Sequence, residues 1–101
     1  MSTGGGRQSY LVEWYWPGLT EAVAASTTRR AEAAAGGLAA EGMDISYQAA
    51  YIVSDDEVAF CLFEAASMAE VEEACRRAAL PFDRILRVTA VSQDTEAGRS
   101  G

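Results

Sequence analysis

Residues 9–16 alternate in a way that reads as a strand, aromatic and β-branched in composition. Tyr10, Val12, Trp14 and Trp16 fall on one face, and Leu11, Glu13 and Tyr15 on the other. Both faces are mostly apolar, which predicts a central strand covered on both sides. Pro17-Gly18 ends it. Thr20 can then cap a helix, with Glu21 well placed in its first turn. Leu19, Val23, Ser26, Thr27, Arg30, Ala34 and Leu38 approximate one helical face. That face is poor in large side chains and predicts a cavity between helix and sheet. Gly36-Gly37 is expected to bend the helix, and Gly42 to cap its end.

Residues 44–53 read as a second strand in which Ile45, Tyr47, Ala49, Tyr51 and Val53 alternate. A polar hairpin loop, Ser54-Asp55-Asp56-Glu57, leads into a third strand over residues 58–64, the most apolar segment. Ser67 and Glu70 form a capping box for a second helix. That helix should turn Met68, Val71, Cys75 and Ala78 inward and Glu72, Glu73, Arg76 and Arg77 outward. Pro81 stops it, and residues 85–91 are the last strand. The order β-α-β-β-α-β predicts an α+β, ferredoxin-like fold: a four-stranded antiparallel sheet with both helices on one face. The second sheet face would then be bare and apolar, so a face-to-face homodimer, a dimeric α+β barrel, is expected. Residues 1–8 are expected to be a flexible arm, 9–91 the domain, and 92–101 a flexible tail.

With 101 residues, half of them hydrophobic, the chain suits one domain with a core of its own. A net charge of -7 argues against nucleic acid and against an anionic membrane face. No apolar run is long enough to span a membrane, and residues 1–9 lack the apolar run of a signal peptide, so a cytoplasmic location is expected. Two cysteines do not make a secreted disulfide framework. The chain has no histidine, which removes Ser-His and Cys-His nucleophile pairs and His-ligated zinc. No cofactor and no metal ligand set is expected on these grounds.

The stretch from Val58 to Val88, VAFCLFEAASMAEVEEACRRAALPFDRILRV, resembles the nickel-binding-protein-like family of small bacterial ferredoxin-like domains. The opening YLVEWYWPGLT, Tyr10 to Thr20, is similar to that family's first strand and turn, and Tyr51 matches in the second strand. The resemblance implies the fold, a dimeric arrangement, and metal or small-ligand binding. Members often carry a histidine where Ala49 stands and another where Cys75 stands, and this chain has neither.

Glu13 interrupts an otherwise apolar strand, where burial would raise its pKa toward that of a general acid or base, unless an arginine such as Arg87 pairs with it. Glu13 and Tyr51 are therefore the candidate catalytic residues. Trp14, Tyr15, Tyr47, Gln48 and Phe63 are the candidate ligand-binding residues, an aromatic wall able to stack a planar molecule. The expected function is small-molecule binding or cofactor-independent catalysis of the cyclase, isomerase or monooxygenase type. Its substrate would be an aromatic or polyketide-like ligand held between sheet and helices. Nickel binding and a non-catalytic role as an interaction subunit are the alternatives. Cys61 reads as a core residue and Cys75 as an inert one. Asp55, Asp56 and Glu57 read as a solvated turn, and Glu64 as an anchor for the turn that follows it.

Overall fold

The alternation in the first strand is realised side chain by side chain. In β1 (Gln8–Tyr15), Tyr10, Val12 and Trp14 are buried, while Leu11 and Glu13 between them are only half-buried. The structure, a computed structural model, describes residues 7–89. The expected tail lies outside that range, as does the expected arm apart from residues 7 and 8, and Gln8 belongs to β1. After β1 come α1 (Glu21–Ala40), β2 (Ile45–Val53), a short 3-10 turn (Ser54–Asp56), β3 (Val58–Ala65), α2 (Met68–Ala78) and β4 (Arg84–Val88). The sheet is antiparallel throughout, in the order β2-β3-β1-β4. This is the ferredoxin-like α+β fold.

Both helices begin where the sequence places their caps. The Val23 amide donates to Thr20 Oγ1 at 3.2 Å, and the Ser67 amide donates to Glu70 Oε1 at 2.9 Å, completing the capping box. The helices share one core with one sheet face, in which Val12, Cys61, Phe63, Leu38, Val71 and Cys75 exclude solvent completely. α1 is rotated from the face expected for it. It buries Ala24, Thr27, Ala31, Ala35 and Leu38, and Val23 is 44% exposed. Small side chains let the helix axis approach the sheet closely, and that close packing outweighs burial of one valine. The helix also runs unbroken through Gly36-Gly37. In α2, Ala74 takes the inward place expected of Met68, which is exposed at the helix start.

β2 departs from simple alternation. A bulge lies between Tyr47 and Ala49, so Gln48 has no partner in β3. The extra residue flips the side-chain parity. Ile45 and Tyr47 face the helices, whereas Ala49, Tyr51 and Val53 face away, opposite Leu62, Phe60 and Val58. The five residues expected on one face are thus divided between two. β4 starts one residue earlier than expected, at Arg84, and residues 90 and 91 lie outside the described range.

α1 and α2 are tied at one end by Arg77. Its guanidinium donates to both Glu41 carboxylate oxygens, at 2.7 and 2.9 Å, and to Glu73 Oε2 at 3.1 Å. The paired arginine holds the Glu41 carboxyl below its ordinary range. Arg30 on α1 donates to the Ala78 carbonyl at 3.0 Å and so satisfies a carbonyl at the end of α2.

α2 ends on Ala79, which has a left-handed φ of 58° and is exposed. A left-handed conformation costs an alanine roughly 1–2 kcal/mol, and glycine loses about 0.4–1 kcal/mol more chain entropy on folding. Ala79→Gly is therefore expected to raise the unfolding free energy by about 0.5–1 kcal/mol, read as a higher urea midpoint at unchanged slope.

Candidate functional site

The residues singled out from the sequence separate onto the two faces of the sheet. Trp14, Tyr47 and Phe63 face the helices; Glu13, Tyr51 and Tyr15 face away; Gln48 sits in the bulge at the β2 edge. Glu13 and Tyr51 share a rung across the strands, but Phe60 stands between them, opposite both. Two strand spacings hold them about 10 Å apart.

Glu13 has an arginine partner, and it is Arg84 directly across the β1–β4 ladder, not Arg87. Arg84 Nε donates to Glu13 Oε1 at 2.6 Å, and the Glu13 side chain keeps 22% of its exposure. Tyr15 is 58% exposed, and its hydroxyl reaches Glu57 Oε1 at 3.4 Å. Glu57 itself does more than solvate a turn. Its other carboxylate oxygen accepts the Gly18 amide at 2.9 Å, and its backbone carbonyl accepts the Trp16 amide at 2.7 Å. Glu57 thus holds the β1–α1 connection, a role that its left-handed φ of 54° supports. Gln48 donates to Ser46 Oγ at 2.8 Å. Near Glu64, Arg7 donates to the backbone carbonyl at 3.2 Å, and the two side chains come within 3.9 Å.

On the helix side, Tyr47 meets Phe63 edge to face with ring centroids 5.9 Å apart. Burial pushes the Tyr47 phenol up, and the Cys61 thiol and Glu32 carboxylate add to the shift. Two rungs beyond, Trp14 is 2% exposed and lies beside Trp16, with centroids 5.9 Å apart and planes tilted by 35°. Among the described residues, Trp14 Nε1 is the single buried side-chain nitrogen or oxygen without a hydrogen-bond partner. An indole N–H left unpaired in the interior costs on the order of 1–3 kcal/mol.

Trp14 lines a small cavity under the first turns of α1, together with Trp16, Ala24, Thr27, Ala50 and Cys61. Its volume is about 10 Å³, room for about one water molecule. On the outer side of the same seam, a groove of about 300 Å³ runs between α1 and β2 along Glu21, Ala25, Thr28 and Tyr47. Ala24, Thr28, Ala50 and Ile52 line both spaces and so form the wall between them. No pattern of charges or motifs marks this seam in the sequence. The signal available there was the run of small residues on α1 facing an aromatic strand.

A family model described as "Nickel responsive protein SCO4226-like" matches residues 10–88. No curated protein matches the chain. The crystal structure of SCO4226 from Streptomyces coelicolor A3(2) is similar, with a TM-score of 0.68 at 16% identity over 83% of this chain and 99% of that one. At that identity the likeness is one of fold.

Nickel takes imidazole and thiolate ligands readily, and this chain offers neither in usable form. It contains no histidine. Both cysteines are buried. Burial pushes the Cys61 thiol up to about 11 and the Cys75 thiol up to about 12, with the neighbouring Cys61 adding to the shift at Cys75. A metal ligand must be the thiolate, and here the environment favours the protonated form. Among the described residues, no group of three or more Cys, Asp or Glu side chains could hold a metal ion. The donor set does not fit nickel. No helix among the described residues is long and apolar enough to cross a membrane.

The thiols make a direct prediction. In native protein at pH 8, Ellman's reagent is expected to react with neither cysteine promptly, and with both at once in urea. Because the fold favours the protonated thiol, their contribution to stability is complete below a free thiol's 9.0. It is lost as pH rises toward about 11 for Cys61 and about 12 for Cys75. The urea midpoint should therefore fall across that interval.

Proposed function

The chain belongs to the SCO4226-like family of nickel-responsive proteins, and from that premise we propose that this member binds a small hydrophobic molecule at the α1–β2 seam. The ligand is an aromatic compound bearing a hydrogen-bond acceptor, such as a ketone or quinone oxygen, and Trp14 Nε1 is its donor. One observation carries the reading: a buried indole N–H without a partner, on a tryptophan that lines a cavity sharing its wall with an outer groove. An orphaned buried donor calls for an occupant.

The cavity of about 10 Å³ and the outer groove of about 300 Å³ are separated by Ala24, Thr28, Ala50 and Ile52. Filling the site therefore requires the start of α1 to swing outward. That movement costs less here than at the Leu38 end, because this half of the helix is held by Ala24, Thr27 and Ala31. A buried methyl-sized group contributes about 0.8 kcal/mol, against about 1.5–3 kcal/mol for a leucine-sized side chain. The far end stays pinned by Leu38 and by Arg77. Trp16 offers a ring to stack on, and Tyr47 and Thr28 place hydroxyls along the groove. The chemistry supported is binding and orientation of a neutral aromatic. Glu13, on the opposite sheet face, takes no part in it. A nickel role, carried by the family description, would need a donor cluster that the described residues do not form.

The test is an NMR titration of 15N-labelled protein with 1-tetralone, a bicyclic aromatic ketone. The Trp14 indole resonance, assigned with Trp14→Phe, is expected to move downfield saturably as the ketone oxygen accepts its proton. Ala50→Leu, which fills the cavity, should abolish that shift. An indole resonance that stays still through the titration, or moves equally in Ala50→Leu, would overturn the reading.

A further inference from the structure

Glu21, Ala25, Thr28 and Glu32 recur along α1 at steps of four, three and four residues, the spacing that keeps side chains on one stripe of a helix. Glu21, Ala25 and Thr28 line the outer groove of about 300 Å³, with Tyr47 and Ile52 of β2 on its other side. Glu32 stands one turn further on. Burial pushes the Tyr47 phenol up, and the Cys61 thiol and the Glu32 carboxylate add to it, so Glu32 acts at the Tyr47 end of the groove. The groove thus runs between two carboxylates about 17 Å apart along the helix.

Neither carboxylate has a cation. Among the described residues, Glu21 and Glu32 make no ion pair. Arg29 pairs with neither, and Arg30 is turned to the Ala78 carbonyl on α2 at 3.0 Å. No arginine lines the groove, and the chain has no lysine. Exposed glutamates on a helix are ordinary. These two border a groove that shares its wall with the cavity of Trp14, an indole 2% exposed whose N–H has no partner.

We infer that the aromatic ketone held at this seam carries a protonated amine on a side arm, and that Glu21, Glu32 and Tyr47 select it over neutral and anionic analogues. The inference rests on binding at the α1–β2 seam: the ring, itself neutral, occupies the seam, and the arm lies in the groove. Two features support it. The first is reach. Glu21 lies about one turn before Ala24, and Glu32 about one turn past Thr28, and both Ala24 and Thr28 wall the cavity. A short arm leaving the cavity toward either end meets a carboxylate. Tyr47 offers an aromatic ring at the second end, and a cation within about 6 Å of such a ring is attracted to it. The second is exclusion. The chain carries -7, and an anionic arm in this groove meets only like charge, which raises specificity by penalising the wrong ligand.

The test uses three ethers of one hydroxylated 1-tetralone: aminoethyl, methyl and carboxymethyl. Their affinities are read on the full chain at low salt from the Trp14 indole resonance. The aminoethyl ether is expected to bind about five- to tenfold tighter than the methyl ether, and the carboxymethyl ether more weakly than either. That advantage should shrink at about 1 M salt, where the screening length is about 3 Å. In the double variant Glu21→Gln, Glu32→Gln, the aminoethyl and methyl ethers should bind alike. Equal affinities in the wild type, or an amine preference that survives in the double variant, would overturn the inference and leave binding at the seam intact. If no ether moves the Trp14 resonance, binding at the seam falls. The charge preference then stands or falls on phenethylamine, which has the ring and the ammonium without the ketone. Shifts of the Ala25 and Thr28 amides that vanish in the double variant would keep it, and their absence would remove it.

Discussion

The packing of a nearly all-alanine stripe of α1 against the aromatic side of the sheet is the contact on which the rest of the molecule depends. Ala24, Ala31 and Ala35 let the helix lie close to Trp14, Cys61 and Phe63, with Thr27 and Leu38 completing the stripe. Close approach brings dispersion contacts with the backbone as well as with side chains, so a face with little apolar area still excludes water. The same choice leaves the indole of Trp14 without a partner, since an alanine has nothing to offer an N–H. Stability and the candidate ligand site thus come from one compromise at one seam.

The two sheet faces do different work, and β1 divides them residue by residue. Tyr10, Val12 and Trp14 belong to the core; Leu11 and Glu13 belong to the open surface. In sequence Glu13 read either as a buried acid or as the partner of an arginine. Its ion pair with Arg84 gives it a plainer place, as a neutralised position within an apolar sheet. Tyr51 shares its rung but is kept from it by Phe60.

Element order, both helix caps and strand positions were legible in the sequence because they depend on local rules: hydrophobic period, Thr20, the Ser67–Glu70 box, Pro17-Gly18 and Pro81. What was not legible depends on fit between distant parts. The bulge at Gln48 leaves no mark in a run of alternating residues, yet it sends Tyr47 and Tyr51 to opposite faces. The rotation of α1 followed the size of its side chains and not their hydrophobicity, so Val23 pointed to the wrong face. The pairing of Glu13 with Arg84 is a matter of strand register, which no count along β4 would supply. The aromatic candidates were real aromatic neighbours in part: Tyr47 with Phe63, and Trp14 with Trp16.

The position of β1 also governs when the fold can form. Val12 sits opposite Cys61 on one side and Ile85 on the other, so β1 waits for β3 and then for β4 before both of its edges are paired. Until β3 emerges, β1 has no strand beside it. Closure of such distant pairings is slow compared with helix formation. A nascent chain of this design therefore carries its most aromatic strand unpaired until β3 is made, the stage at which it is most open to aggregation and to capture by a chaperone.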